Sequence, residues 1–129
     1  METGNVEVVR TVYEALNRND LPGAIALMTE DVEYVNPPYA VEPGTRHGHD
    51  GMMTALENLR APFSEFAYAV RDLEDCGDRV LASVVFQVRS RAQAVDIAQD
   101  RHHVWTLRDG KIARFQWFSS RDEARAAIG

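Results

Sequence analysis

The spacing of apolar residues changes once along this chain, at Pro62, and the change restricts the folds that it can adopt. Before Pro62, apolar side chains recur every three or four residues, as they do on one face of a helix. After Pro62 they alternate, as they do on a strand with one buried face. Helices followed by a run of strands predict an α+β fold, in which helices cover one face of an antiparallel sheet.

The first part of the chain is predicted to contain three helices and one strand. Asn5 and Asp20 suit the N-caps of the first two helices, and Pro22 falls in a first turn, where proline is tolerated. Pro62 ends the third helix. The predicted elements are a helix at 6–18, a short helix after Asp20, a strand at 32–36, a loop at 39–48 and a helix at about 50–59.

Four long strands are predicted to follow as an antiparallel meander. Asp109-Gly110 is a strong hairpin signal, and residues 75–78 form a second turn. The strand at 80–89 is apolar on both faces. The predicted segments are strands at 66–73, 80–89, 95–107 and 112–118, and a short helix or tail at 121–128.

Length and composition limit the class of protein. A chain of 129 residues with a 45% hydrophobic fraction is expected to form one domain, 1–129. We expect no membrane span and no secretory leader, and Cys76, the single cysteine, weakly favours the cytoplasm. The net charge of −6 and the dispersed arginines argue against nucleic acid as a partner. The arginine-rich composition, with Lys111 as the single lysine, suggests a bacterial source.

Three segments resemble the nuclear-transport-factor-2-like superfamily, in particular the SnoaL-like polyketide cyclases and the ketosteroid isomerases. They are VVRTVYEALNRNDLPGAIALMTEDVEYVNPP, GHDGMMTALENL and VWTLRDGKIARFQWFSSRDEARAAIG. The resemblance implies a cone-shaped, curved antiparallel sheet wrapped on three N-terminal helices. It also implies a pocket for a small apolar or aromatic ligand on the concave face, no cofactor, and a homodimer through the convex face.

The catalytic positions of ketosteroid isomerases carry different residues here. The resemblance places Val12 at the family's helical tyrosine, with Tyr13 beside it, and Asn36 at the general base. It places His103 at the second oxyanion donor. An amide cannot take a proton at neutral pH, so steroid isomerisation is not expected. Arg101 and His103 have the strand spacing of the arginine and aspartate of limonene epoxide hydrolases, but histidine replaces the carboxylate.

Alternation along the strands predicts which side chains face the pocket. His103 would be the general acid or base, Arg101 would hold a carboxylate, phosphate or oxyanion, and Asn36 would donate to a carbonyl. On the strand 80–89, the ungapped placement turns Ser83, Val85, Gln87 and Arg89 inward. The predicted substrate contacts are Tyr13, Tyr34, His47, Met52, Met53, Gln87, Trp105, Phe115 and Trp117.

Each of these assignments has an alternative. His103 is also explained as a hydrogen-bonded residue of a polar core, and a slip of one residue would turn His102 inward in its place. Arg101 is also explained by a structural ion pair, because an unpaired buried charge is costly. The candidate partners are Asp96, Asp100 and Glu33.

A metal site is considered at the loop before the third helix. His47, His49 and Asp50 are suitable ligand types. The loop lacks a known metal spacing, so we expect no metal there. His49 or Asp50 is predicted instead as the helix N-cap, with His47 on the pocket rim.

Two functions remain open from the sequence. One is a cofactor-independent isomerase, cyclase, hydratase-type lyase or hydrolase acting on a hydrophobic oxygenated molecule. The other is a non-catalytic small-ligand-binding domain of the same fold. Residues predicted to point away from the pocket are apolar, which predicts a dimer interface on that face. They are Ala82, Val84, Phe86, Val88, Val104 and Phe118.

Overall fold

The computed structural model describes residues 4–129 and places all six strands in one curved sheet. The strand order is β2-β1-β6-β5-β4-β3. β1 is parallel to β6, and the other neighbouring pairs are antiparallel. The predicted α+β class is confirmed. The elements are α1 Asn5–Asn17, α2 Leu21–Ile25, β1 Met28–Asn36, β2 Gly44–His47, α3 Gly48–Arg60, β3 Phe63–Cys76, β4 Arg79–Ser90, β5 Asp96–Arg108, β6 Lys111–Phe118 and α4 Arg121–Ile128.

Helix α1 buries its apolar face against the sheet, with Val9 and Val12 fully enclosed. The predicted N-cap is wrong, because Gly4 occupies that position. Asn5 is the first helical residue, and its Nδ2 donates to the carbonyl oxygen of Gly77 at 2.8 Å. A tertiary hydrogen bond has therefore taken the side chain that would otherwise cap the helix.

The N-cap of α2 is confirmed as Asp20, whose Oδ1 accepts from the amide of Gly23 at 3.0 Å. A Cβ atom added at position 23 would lie 2.2 Å from Oδ2 of the same carboxylate. A side chain at position 23 would therefore displace the capping carboxylate.

The predicted loop at 39–48 contains a short strand that the sequence did not indicate. Strand β2 pairs with β1 from Asn36 opposite Gly44 to Glu33 opposite His47. Helix α3 then begins at Gly48, whose φ of +76° suits glycine, and His47 is its N-cap. The predicted caps at His49 and Asp50 are therefore wrong, because the helix starts directly after the strand.

The Asp109-Gly110 hairpin is confirmed and sets the register of the last two strands. Both residues have positive φ, 54° and 79°, as a type I′ turn requires. His103 lies opposite Trp117 across this hairpin. His103 is buried and His102 lies on the other face of β5.

The predicted orientation of β4 is wrong. Ala82 lies opposite His103, so the even-numbered residues of β4 face the helices. Because β4 is apolar on both faces, alternation alone could not orient it, and the register with β5 decided the matter. The inward residues are Val80, Ala82, Val84, Phe86 and Val88; the outward ones include Ser83, Val85, Gln87 and Arg89.

Helix α4 covers part of the outer sheet face. Leu81, Val104 and Ala124 form a second small core there, with Phe118 packed against it. Val104 and Phe118 are thus outward as predicted, whereas the four predicted β4 residues are not.

None of the helices between residues 4 and 129 is long and apolar enough to cross a membrane.

Candidate functional site

A cavity of about 150 Å³ lies between the inner sheet face and α3. It opens into a wide mouth of about 750 Å³, with which it shares Tyr34, Asn36, Leu59 and Trp117. A nearly filled apolar end, where Met52 and Leu56 lie, shares Tyr34, Leu59 and Tyr68 with this cavity. The 150 Å³ cavity is therefore a polar middle between the wide mouth and the apolar end. The lining of the middle is Tyr34, Asn36, Leu59, Tyr68, Phe86, Arg101, His103 and Trp117.

His103 is held by a chain of two buried hydrogen bonds. Trp105 Nε1 donates to the hydroxyl oxygen of Tyr13 at 2.9 Å, and that oxygen lies 2.5 Å from His103 Nδ1. An indole N–H can only donate, so the Tyr13 oxygen accepts from Trp105, and among residues 4–129 the one acceptor within reach of its own proton is His103 Nδ1. Nδ1 therefore accepts, and we assign the imidazole proton to Nε2 from this network.

His103 lines the cavity with only 1% of its surface exposed, and Nε2 is the ring nitrogen that does not contact Tyr13. Among residues 4–129 it has no hydrogen-bond partner, and it is not among the fully enclosed polar atoms. Burial lowers the pKa of His103 to about 3, and the positive charge of Arg101 adds to the effect. The imidazole is therefore neutral at pH 7 and presents an N–H donor.

Arg101 lines the cavity on the same strand face as His103, near two aromatic rings. Its guanidinium carbon lies 5.8 Å from the centre of the Phe86 ring and 5.9 Å from that of Trp117. One nitrogen donates to the carbonyl oxygen of Asp100 at 2.9 Å and another to Oε1 of Gln99 at 2.6 Å. Neutral oxygens orient the guanidinium without cancelling its charge.

The alternative of a structural ion pair at Arg101 is wrong. Asp96 contacts Arg89 at 2.7 Å, and Glu33 contacts Arg114 at 2.7 Å. None of the ion pairs between described residues includes Arg101. The sequence had offered three carboxylate partners for Arg101, namely Asp96, Asp100 and Glu33.

Asn36 is fixed by its neighbours at the junction of cavity and mouth. Its Oδ1 accepts from Trp117 Nε1 at 2.9 Å, and its Nδ2 donates to the carbonyl oxygen of Gly44 at 3.3 Å. The donor-only indole sets the orientation of the amide. One N–H of Nδ2 is left for a ligand.

Two tyrosine hydroxyls complete the polar middle. Burial raises the pKa of Tyr34 to about 12 and raises that of Tyr68 further, so both are protonated at neutral pH. Tyr68 was missed as a site residue, although its alternation with Phe66 and Val70 was recognised. Phe86 was missed because β4 had been assigned the wrong face.

Three predicted contacts do not line the cavity. Gln87 is exposed on the outer face, because β4 faces the other way. His47 is exposed, and its Nδ1 lies 3.5 Å from the Glu33 carboxylate. Met53 packs against the core beside the site.

Tyr34 and Trp117 line the polar middle as predicted, and four other predicted contacts lie behind it. Met52, Trp105 and Phe115 line the apolar end. Tyr13 is buried behind His103 and orients it. These side chains shape and support the cavity more than they offer polar groups to it.

The histidines considered as metal ligands are engaged elsewhere. His49 Nε2 lies 3.2 Å from the carbonyl oxygen of Met28. In the part of the chain described, no three His, Cys, Asp or Glu side chains group as metal ligands would. The expectation of no metal stays a prediction.

Comparison with known proteins identifies the family. Residues 9–115 match the family description "SnoaL-like domain". The chain belongs to the SnoaL-like family. The resemblance inferred from the sequence is thereby confirmed, and no curated protein matches the chain.

Solved structures resemble this SnoaL-like domain over nearly its whole length. TerC, co-crystallised with polyporic acid, is 27% identical, with a TM-score of 0.79 and coverage of 96% of this chain and 97% of TerC. An NTF2-like protein of unknown function from Burkholderia pseudomallei is 27% identical, with a TM-score of 0.80 and 98% coverage of both chains. A ketosteroid isomerase-like protein from Catenulispora acidiphila, in complex with trimethylamine, shares the fold at 17% identity, with a TM-score of 0.78 and coverage of 89% and 86%.

The polar groups of this SnoaL-like cavity are mostly donors. The N–H of His103, the guanidinium of Arg101 and the amide of Asn36 donate, and the two tyrosine hydroxyls can donate or accept. Among the described residues, none that lines the polar middle carries a carboxylate. The arrangement suits a ligand that brings oxygen acceptors.

Proposed function

We propose that this SnoaL-like domain binds a small oxygenated organic molecule, to which His103 donates a hydrogen bond from Nε2. The observation that carries the proposal is the chain from Trp105 through Tyr13 to Nδ1 of His103, which supports an imidazole proton on Nε2 that has no partner among residues 4–129. A donor in a largely apolar enclosure gains from an acceptor that enters with a ligand. A carbonyl oxygen is such an acceptor.

The comparison with TerC supports a ligand of this kind. TerC was crystallised with an organic acid, polyporic acid, and is similar to this chain over nearly the full length of both. TerC therefore supports an oxygenated organic molecule as the class of ligand.

A second candidate function is cofactor-independent catalysis, and the neutral state of His103 favours it. A neutral imidazole N–H next to a guanidinium can polarise a carbonyl and stabilise a developing oxyanion. Because no carboxylate lines the polar middle, a proton acceptor would come from the substrate or from water. Binding is the function that the geometry supports best, and isomerisation, cyclisation or hydrolysis would be added to it.

The test uses acetophenone and cyclohexanone as neutral carbonyl probes, observed by NMR. We expect saturable shifts of the His103 ring and Trp117 indole signals. His103→Phe should weaken binding by about tenfold, about 1.4 kcal/mol, and His103→Gln should keep part of it because its amide can donate. His102→Gln, on the other sheet face, is the matched control.

The same samples in D₂O separate the two functions. Exchange of the protons next to the probe carbonyl that is accelerated by wild type and lost in His103→Phe would favour an enzyme. Binding with no acceleration would favour a binding domain. Absence of any His103 shift with both ketones would contradict the proposed function.

A further inference from the structure

We infer that the ligand is an organic acid whose carboxylate pairs with Arg101 while a second oxygen accepts from His103. The inference rests on the proposed function of the cavity and adds the charge and the orientation of the ligand. It replaces the expectation of a merely apolar or aromatic ligand.

The first reason is the charge of Arg101. Arg89, Arg108 and Arg114 each contact a carboxylate within 2.7 Å. Arg101 contacts none among residues 4–129, although it is partly buried against two aromatic rings. A charge partly removed from water is stabilised by an opposite charge, and here a ligand can bring it.

The second reason is the geometry of the guanidinium. It has five N–H groups, of which Asp100 and Gln99 take two. About three therefore remain, in a planar fork that matches the two oxygens of a carboxylate. The two existing bonds fix the plane, so less side-chain entropy is lost when an anion binds.

The third reason is that the described lining holds no negative charge that would repel an anionic ligand. The lining of the polar middle contains no Asp or Glu, and its tyrosines are protonated at neutral pH. Glu42, at the mouth, lies 3.3 Å from Arg46 and is partly neutralised by it. An anion can therefore enter and stay without facing an unpaired carboxylate of the lining.

The size and spacing of the site narrow the class of acid. The polar middle, about 150 Å³, is below the roughly 300 Å³ at which pockets for drug-sized ligands begin. Arg101 and His103 are two residues apart on one strand face, about 7 Å along it. One aromatic ring bearing a carboxylate at one end and a hydroxyl or oxo group at the other spans this distance.

The test compares 4-hydroxybenzoate with 4-hydroxybenzamide, which has the same shape and no charge. Calorimetry and NMR are recorded on the full chain. We expect wild type to bind the acid at least about tenfold more tightly than the amide. Arg101→Gln should lose that preference, so that both probes bind within about threefold of one another.

Two further variants control for charge and for folding. Arg10→Gln changes the net charge equally at an exposed site on α1 and should leave both affinities unchanged. Arg101→Lys keeps the charge without the fork and should retain an intermediate preference for the acid. Circular dichroism and thermal unfolding establish that each variant is folded.

The outcomes separate this inference from the proposed function. If the acid and the amide bind equally and both shift the His103 and Trp117 signals, the inference that a ligand carboxylate pairs with Arg101 is overturned. The proposed function then remains intact. An acid preference that survives Arg101→Gln would overturn the role of Arg101. If neither probe binds and the ketones also fail, both are overturned.

Discussion

Tyr13 determines the chemical state of His103 at the scale of single residues. The Tyr13 oxygen accepts from the donor-only indole of Trp105, and Nδ1 of His103 is the one acceptor for the Tyr13 proton among residues 4–129. The rings of Tyr13, Tyr68 and Phe115 enclose the imidazole, with centres 4.8–5.9 Å away. This enclosure makes His103 a fixed hydrogen-bond donor and a poor proton acceptor at neutral pH.

Burial of His103 predicts a loss of stability in acid. Its pKa is lowered to about 3 in the folded protein, against an ordinary value of 6.5. The unfolded chain therefore takes up a proton at pH values at which the folded chain does not. The free energy of unfolding should fall by about 1.4 kcal/mol per pH unit from roughly pH 6.5 towards 3 through this residue.

Urea unfolding of wild type and His103→Gln between pH 7.5 and 4 measures this contribution. His103→Gln is expected to have a lower free energy of unfolding at pH 7.5 than wild type. Below pH 6, its free energy of unfolding should change less steeply with pH, by the slope that corresponds to about one bound proton. His102→Gln should keep most of the wild-type slope. Identical slopes in wild type and His103→Gln would show that His103 is not kept neutral.

At the scale of elements, ion pairs hold α4 against the outer face of the sheet. Arg125 contacts the Glu74 carboxylate of β3, and Arg121 reaches the same group at 3.2 Å. Ser120 caps the helix, because its Oγ accepts from the amide of Glu123 at 3.2 Å. A helix of eight residues is too short to be stable alone, so these tertiary contacts hold it.

Removing the Glu74 charge should release α4. The Arg125 hydrogen bond is the main cause that lowers the pKa of Glu74 to about 2. The attachment should therefore be complete above pH 4.5 and be lost as the pH falls towards 2. Glu74→Gln should raise hydrogen exchange of the α4 amides at pH 7, and salt should reduce the difference from wild type.

The matched variant is Glu65→Gln, which removes an exposed carboxylate from the same strand. Its α4 amides should exchange as in wild type. Equal exchange in Glu74→Gln and wild type would mean that apolar packing on Leu81 and Val104 suffices to hold the helix.

At the scale of the whole molecule, the outer face of the sheet is only partly covered by α4. Beyond the helix, that face presents Ala67, Gln87 and Ala98 beside a concavity of about 400 Å³, which Glu65 and Asp96 also line. Of the residues first taken as the dimer interface, the four on β4 face the helices, and Val104 and Phe118 pack in the small core under α4. We propose that the uncovered part of the face is where a second copy of the chain binds.

A charge placed on this face should dissociate the dimer. Ala98 is exposed opposite Gln87, so Ala98→Glu would bury a carboxylate between the copies. Sedimentation velocity is expected to give a dimer for wild type and a monomer for Ala98→Glu, with about tenfold or more weaker association. Ala92→Glu, in the exposed turn after β4, should remain dimeric; a monomeric wild type would contradict the proposal.

The sequence indicated most of the elements because their signals are local. The Asp20 cap, the Asp109-Gly110 turn and the change of period at Pro62 depend on neighbouring residues only. Strand β2 was missed because 44–47 is short and its pairing partner is β1, eight or more residues away. The candidate site was found in part: Arg101 and His103 were recognised on one strand face, but Tyr68 and Phe86 were not assigned.

By itself, the sequence determined the α+β class, the family and the strand alternation that places Arg101, His103 and Trp105 on one face. Alternation along a strand fixes which residues share a face but not which way the face points. The tertiary structure decided the orientation of β4, which is apolar on both faces. Its register with β5 shows which face points to the helices. The tertiary structure also decided the neutral state of His103 and, among residues 4–129, the lack of a carboxylate partner at Arg101, because hydrogen-bond direction and charge pairing depend on partners that are distant in the chain.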